Sequence, residues 1–468
     1  MFKLKQNNTT VRTELVAGIT TFMAMAYILM VNAGMFSTLG GDALGASYYN
    51  AVYIATALSA VFGTLLIGLL SNLPLAQASG MGLNAFFVYS VCIGMGFTYA
   101  NALVMVLVDG IVFLLLTVTG LRRLIFDAIP KAVKAAIAPG IGLFIAFLGL
   151  QNSGIVVNSD STLVDLHSFN IIFGHTTWAE IMPLLITIAA LIAIGAMSKK
   201  KIKGAVFWGI IGGAVLYYAL GLLTIDGFYA SNVQSKLSLN IIQPFRDFFN
   251  ISFGKVFTEG FNFSEYIAAN GVGSFAATFI ASMLAFCMVD MFDTLGTLYG
   301  ACSAGNLLDK DGNVPNMNKA MLADAAATCF GAVCGTSTVT TFVESSAGIA
   351  EGGKTGLSSV FTAAMFFIAM FLAPIAALIP SCAAASLIFV GILMIGGVKE
   401  IDWSDASAAV PAFMTMAIMP FTYNISYGIA FGLISYIFIK LFTGKIKDIS
   451  LSTWIIGILF AAMFFIAR

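Results

Sequence analysis

The chain has 468 residues, of which 59% are hydrophobic and only 9% charged, and its 22 basic and 22 acidic side chains cancel to a net charge of zero. That composition lies far from the soluble average and marks a polytopic membrane protein. Balanced charge leaves no basic surface for nucleic acid.

Met1 to Glu14 is polar, and the apolar run after it is too long for the core of a cleavable signal. A bilayer span needs roughly 20 apolar residues. Apolar segments fall near residues 15–36, 50–71, 73–95, 100–120, 132–150, 178–198 and 204–222, which are spans 1 to 7. After a polar gap, spans 8 to 14 fall near 271–303, 318–335, 337–353, 355–378, 383–398, 406–421 and 424–442. A last segment, 452–467, is either a fifteenth span or an interfacial helix. Cytoplasmic loops carry the excess of Lys and Arg. With the N-terminus and its Lys3, Lys5 and Arg12 inside, so are Arg122, Arg123, Lys131, Lys134, Lys199, Lys200, Lys201, Lys203, Lys310, Lys319, Lys354, Lys399, Lys440, Lys445 and Lys447. That is 18 of the 22 cations, whereas Lys236, Arg246 and Lys255 lie outside in loop 223–270 and Arg468 ends the chain. A count wrong by one span would scatter them.

Span 10 is the unusual one. Its sequence from Gly335, GTSTVTTFVESSAGIAEGG, opens on β-branched residues that favour extended backbone. It then reaches Glu344 and two serines, Ser345 and Ser346, able to cap a helix. It is either a polar loop between two spans or a span broken at mid-depth, strand then half-helix, with a carboxylate at the break. Non-helical backbone at that depth is tolerated where protein buries it or where it lines a cavity, and many secondary transporters bind substrate there. The first half of the chain repeats the pattern, which favours the broken span. Residues 50–63 align without gaps on 318–331, with Asn50, Phe62 and Gly63 opposite Asn318, Phe330 and Gly331. Directly after each comes the odd stretch, LPLAQASGMGLNAFF from Leu73 in one half and STVTTFVESSAG from Ser337 in the other. Trp178 before span 6 matches Trp403 before span 13. Seven spans per half give the halves opposite orientation in the membrane. The predicted fold is therefore an all-α polytopic membrane protein of about 14 spans in a 7+7 inverted repeat, with short strands in spans 3 and 10.

Five acids sit well inside spans, with no Lys or Arg beside them: Asp109, Asp290, Asp293, Asp324 and Glu344. An ionised acid at mid-membrane costs about 2.5–3.5 kcal/mol on insertion scales, so each needs a reason. Asp290 and Asp293 are three apart on one helix face, where joint ionisation is disfavoured, an arrangement that suits a proton carrier. Glu344 sits at the break in span 10, and Asn84 lies near the matching break in span 3. For Asp109 and Asp324, a structural hydrogen bond to a neighbouring helix is as good a reading as a role in transport. Carboxylates without cations accept hydrogen bonds and repel anions. Such a site fits a neutral planar ligand with several N–H donors, or a cation. The extended segments add main-chain donors and acceptors, and Phe86, Phe87 and Phe342 are either stacking surfaces or plain packing. Gly80-x-Gly82 is no dinucleotide loop, because no βαβ unit surrounds it. The six cysteines, Cys92, Cys287, Cys302, Cys329, Cys334 and Cys382, lie in or beside apolar stretches without metal or disulfide spacing and read as packing residues. His167 and His175 share a polar loop and read as solvated. With no nucleophile and base, no metal ligands and no charged pore ring, the chain reads as neither enzyme nor channel, and no cofactor is expected.

Four stretches together resemble the AzgA-like purine permeases of the nucleobase:cation symporter-2 family, over nearly the whole length. They are GITTFMAMAYILMVN from Gly18, QASGMGLNAFF from Gln77, MVDMFDTLGTL from Met288 and TSTVTTFVESSAGIAEGGKTGL from Thr336. The resemblance implies proton-coupled uptake of hypoxanthine, guanine or adenine across the plasma membrane (the inner membrane in a bacterium), with Na⁺ as the other coupling ion to consider. It implies a core domain of spans 1–4 (residues 1–121) and 8–11 (271–378). A gate domain of spans 5–7 (122–222) and 12–14 (379–443), which often dimerises, completes it. Loop 223–270 is then extracellular, and 444–468 is a C-terminal segment. Carried over by motif, Asp290 and Glu344 would bind the purine, with Asn84 and Ser345 beside them. Asp293 would serve coupling or site architecture, and Asp324 is similar to a span-nine acid implicated in some relatives. The rival is an anion transporter on the same inverted-repeat fold, which would need a net positive site.

Overall fold

The computed structural model describes residues 2–119, 129–202, 204–234, 240–305, 307–310, 314–376 and 384–466. Arg122, Arg123, Lys203, Lys236, Cys382 and Arg468 lie outside the described residues, as do the domain boundaries at 121–122 and 378–379.

Each of the fourteen apolar segments has its element. Span 1 is Val11–Met25 and Tyr27–Ser37, joined at Ala26, and span 2 is Gly41–Ser71. Span 3 is broken into a strand, β1 (Gln77–Ser79), a half-helix, Met81–Ala85, and a wider-wound turn, Phe86–Gly94. Tyr99–Thr119, Lys131–Asn152, Trp178–Lys199 and Ala205–Thr224 are spans 4 to 7, with a hairpin of β2 (Val156–Ser159) and β3 (Leu163–Leu166) between spans 5 and 6. Ser264–Ala304 and Met317–Cys334 are spans 8 and 9. Span 10 is β4 (Val339–Thr341) followed by the half-helix Ser345–Ala350. Span 11 begins as Gly356–Ala369, span 12 as Ala384–Met394, and spans 13 and 14 are Ala406–Thr422 and Ile425–Phe442. Among the described residues eight helical runs are long and apolar enough to cross a bilayer, the first of them, Val11–Ser71, holding spans 1 and 2 together. The other segments are shorter, broken or more polar.

One expectation changes. Loop 223–270 is not a plain polar connection: it contains Ile242–Asp247, Phe248–Ser252 and Lys255–Thr258. This segment is pinned to the membrane-spanning part by Asn50 Nδ2, which donates to Asp247 Oδ2 at 2.8 Å, and by Gly254 N–H, which donates to Val333 O at 2.8 Å. The run Ser264–Ala304 is interrupted at Gly271, the expected start of span 8, where φ is +81°, a conformation that glycine adopts without strain, so that 264–270 form a short helix ahead of the span. The terminal segment is a helix, Leu451–Ile466, packed against spans 8 and 14. Its 16 residues reach about 24 Å, short of the hydrocarbon thickness.

Helices pack in two groups. Span 2 lies against spans 1, 9 and 11, and span 4 against spans 8 and 9. Span 5 lies against spans 12, 13 and 14, and span 6 against spans 7 and 12. Small residues let the backbones approach, as helix association in lipid requires. A Cβ on Gly356 would lie 1.9 Å from Gly68 O, and one on Gly391 would lie 2.4 Å from Gly142 O. The aligned repeats meet each other: Phe62 and Phe330 stack with centroids 4.1 Å apart. The glycines that follow them both admit a strand. A Cβ on Gly63 would lie 2.8 Å from Gln77 Oε1, and one on Gly331 would lie 2.7 Å from Val339 Cγ2. Gly348 of the second half-helix is equally constrained, since its Cβ would lie 2.1 Å from Thr21 Oγ1 and 2.5 Å from Ala17 O. Gly348→Ala should therefore destabilise the protein by about 1–3 kcal/mol, seen as a lower melting temperature in detergent.

Candidate functional site

The two broken spans meet at their strands. β1 and β4 pair antiparallel with Gln77 opposite Thr341, Ala78 opposite Thr340 and Ser79 opposite Val339. Gly80 N–H to Thr338 O and Phe342 N–H to Ala76 O, both 3.0 Å, extend the ladder at its two ends. A two-stranded ribbon inside a membrane must satisfy its outer edges elsewhere. Threonines from the flanking helices do this. Thr64 Oγ1 accepts from Gln77 N–H at 2.9 Å and donates to Gln77 O at 3.0 Å. Thr328 Oγ1 accepts from Val339 N–H at 3.1 Å and donates to Val339 O at 3.2 Å. Past each strand a half-helix begins, so the N-termini of Met81–Ala85 and Ser345–Ala350 both start at this crossing.

The acids divide into two sets. Asp293 and Glu344 are partly exposed and close enough to feel each other's charge. Asp293 also borders the crossing: a Cβ on Gly80 would lie 3.1 Å from Thr340 Oγ1 and 3.9 Å from Asp293 Oδ2. Asp109, Asp290 and Asp324 are fully buried. Asp324 is tied to the ribbon. Its Oδ1 accepts from Gln77 Nε2 at 2.9 Å and from Thr341 Oγ1 at 3.3 Å, and its Oδ2 accepts from Thr294 Oγ1 at 2.9 Å. Among the described residues no N–H or O–H group donates to the carboxylates of Asp109 and Asp290, and the Cys287 thiol is the polar neighbour of Asp109.

Several expectations are corrected by this placement. Asp290 and Glu344 do not share an accessible face. Asp290 is sealed inside the protein. Asp293 is the span-8 acid beside Glu344. The helix-to-helix hydrogen bond expected of Asp324 is present, and Asp109 of span 4 is engaged with the Cys287 thiol of span 8. Asn84 is fully buried, and its amide is engaged with Ser79: Ser79 Oγ donates to Asn84 Oδ1 at 2.7 Å, and Asn84 Nδ2 donates to Ser79 O at 3.3 Å. That residue anchors the turn from β1 into the half-helix. Ser345 and Ser346 do not cap the second half-helix. Glu344 holds the N-cap position without a side-chain bond, and Ser345 Oγ instead accepts from Ala76 N–H at 3.0 Å. Phe86 and Phe87 are packing residues, against Phe286 at 4.9 Å and Phe36 at 4.9 Å.

Two residues escaped the sequence reading. Tyr27 of span 1 is fully buried, and its hydroxyl donates to Glu344 Oε1 at 2.7 Å. Glu14, counted with the polar N-terminus, is buried as well. It accepts from Lys354 N–H at 3.1 Å, from Ser358 N–H at 3.2 Å and from the Ser358 hydroxyl, holding the start of span 11. Among the described residues no Lys, Arg or His side chain is buried. The site offers carboxylates, hydroxyls and main-chain edges, a set suited to reading N–H donors on a neutral ring.

The Permease family model matches residues 12–431. The chain is 34% identical over 461 residues to the adenine permease AdeP of Escherichia coli, covering 98% of this chain and 94% of the relative. It is 36% identical over 474 residues to the guanine/hypoxanthine permease PbuO of Bacillus subtilis, covering 100% of each. Its fold is similar to the transmembrane domain of the cyanobacterial bicarbonate transporter BicA, with a TM-score of 0.60 at 16% identity over 92% of this chain and 98% of that one. At that identity the likeness speaks for the fold and not for the substrate. The four motifs that resemble the AzgA-like permeases thus sit in a chain that matches these relatives over nearly its full length. This protein is a membrane transporter of the Permease family, among the AzgA-like purine permeases.

Proposed function

We propose that the protein imports purine nucleobases, hypoxanthine, guanine or adenine, together with protons. The observation that carries this reading is the pair Asp293 and Glu344, partly exposed at the strand crossing with no buried cation among the described residues to balance them. Such a pair accepts hydrogen bonds from purine N–H groups, and the ribbon's main chain presents further donors and acceptors. An anion would have to overcome both carboxylates, which sets this site against the bicarbonate chemistry named for its fold neighbour. The relatives named as adenine and guanine/hypoxanthine permeases support the same substrate class.

In this scheme Glu344 accepts from the base, Asp293 carries the coupling proton, and the buried acids Asp290 and Asp324 serve the architecture of the site. Asn84 and Ser345 fix the two half-helices. Spans 1–4 and 8–11 form the substrate-carrying core, spans 5–7 and 12–14 form the gate through which two copies associate, and the N-terminus faces the cytoplasm at the plasma membrane. The test is uptake of radiolabelled hypoxanthine, guanine, adenine and uracil into cells lacking their own nucleobase transporters, with and without a protonophore. Purine uptake that collapses with the protonophore supports the reading. Bicarbonate or sulfate uptake without any purine uptake overturns it.

A further inference from the structure

The contact between Tyr27 and Glu344 is the end of a longer seam. Span 1 and the segment from the second half-helix to the start of span 11 run antiparallel, and as far as Ser358 their contacts stay in order along both chains. Tyr27 meets Glu344; Thr21 and Ala17 meet Gly348; Ala17 meets Gly353; Glu14 meets Lys354 and Ser358. At Gly348 there is no room for even one added carbon. Beyond Ser358 the order reverses, and span 11 returns along span 1 in the parallel sense, with Thr362 Oγ1 donating to Gly18 O at 3.0 Å. A phenol mounted on this seam has little freedom to move relative to the half-helix that bears Glu344.

Glu344 needs such a partner. Its side chain makes no bond to the N–H groups of its own half-helix, although it holds the N-cap position. The first of those groups turn inward instead: Ser345 N–H donates to Phe342 O at 3.2 Å and Ser346 N–H to Val343 O at 2.9 Å. The Tyr27 hydroxyl engages Oε1. A carboxylate held at one oxygen presents the other in a fixed direction.

We propose that Tyr27 is a positioning residue for substrate. It orients the Glu344 carboxylate so that the second oxygen faces the strand crossing, and thereby sets the affinity for purine. This inference rests on the assignment of Glu344 to the purine site. Tyr27→Phe removes the hydroxyl and keeps the ring that fills the buried space. Tyr27→His supplies a ring donor again.

The test uses purified full-length protein in detergent, equilibrium binding of radiolabelled guanine and hypoxanthine, and melting temperature as the fold control. Four variants are compared: Tyr27→Phe, Tyr27→His, Glu344→Ala, and Tyr27→Phe combined with Glu344→Ala. The expected result is binding about tenfold weaker in Tyr27→Phe, partly restored in Tyr27→His, and no weaker in the double variant than in Glu344→Ala alone. A structural role alone would lower the melting temperature and add to the Glu344→Ala defect. Wild-type affinity in Tyr27→Phe, or additive losses in the double variant, overturns the positioning role even where Glu344→Ala weakens binding. Wild-type affinity in Glu344→Ala overturns the site assignment itself, so the two failures are told apart.

Discussion

Purified Glu344→Ala should bind purine about 1–3 kcal/mol more weakly than wild type, roughly 5- to 150-fold, while keeping its melting temperature. In the proposed scheme the carboxylate accepts from substrate N–H groups, so truncation would leave those donors without a partner once the base is desolvated. Fold should survive, because Glu344 makes no cap to its half-helix, and Tyr27 is the side-chain partner seen for it. The half-helix is held by other means, above all the Ser345 bond to Ala76 and the Gly348 approach to span 1. Glu344→Gln should be milder, since the amide keeps one acceptor oxygen. Equilibrium binding in detergent with a thermal-shift control measures both. Undiminished affinity in a well-folded Glu344→Ala protein would remove Glu344 from the site.

Asp293→Asn should abolish accumulation of purine against a gradient while sparing exchange of external for internal purine. Asp293 and Glu344 lie close together in a region of low dielectric constant, where two negative charges repel strongly. If a proton on this pair completes the loaded site, protons raise purine affinity and purine raises proton affinity by the same factor. A neutral loaded core crosses the midplane, and a half-loaded core is held back by its buried charge. An asparagine at 293 fixes that position as neutral, so the return step no longer carries a proton, yet exchange needs no net proton movement. Asp109→Asn serves as the comparison. Asp109 is buried on span 4 against the Cys287 thiol, a contact its isosteric amide can keep, so the variant should retain substantial uptake. Equal activity of the two variants in a counterflow and accumulation assay would mean that the acids are ranked wrongly.

The architecture was legible because membrane sequences punish exceptions. A β-branched run with an acid inside a span has few explanations, and the strand Val339–Thr341 followed by Ser345–Ala350 is the one predicted. The repeat was legible because Phe-Gly pairs recur where the two halves touch, at the Phe62–Phe330 stack and beneath the two strands. The division of the acids was not. Residues three apart on a helix differ by only about 60° around the axis, so spacing alone cannot say that Asp293 is partly exposed while Asp290 is sealed. Tyr27 was hidden for a related reason: one aromatic residue in an apolar helix looks like packing until its hydroxyl is seen beside a carboxylate. Glu14 was hidden by position, since an acid near a span's end needs no partner in sequence terms, yet here it holds the start of another span. The helices of 242–258 were missed because each is only a turn or two long, too short for a periodic signal.

The central claim, that purine and proton move together, is tested most directly in liposomes containing the purified protein. Purine accumulation is followed under an imposed inward proton gradient, under an imposed inward Na⁺ gradient, and at several external pH values. The proton scheme predicts accumulation with the proton gradient alone, uptake that falls as external pH rises, and indifference to Na⁺. Accumulation driven by a Na⁺ gradient with no pH difference and no membrane potential would contradict it, and would make Asp293 and Glu344 part of a cation site instead.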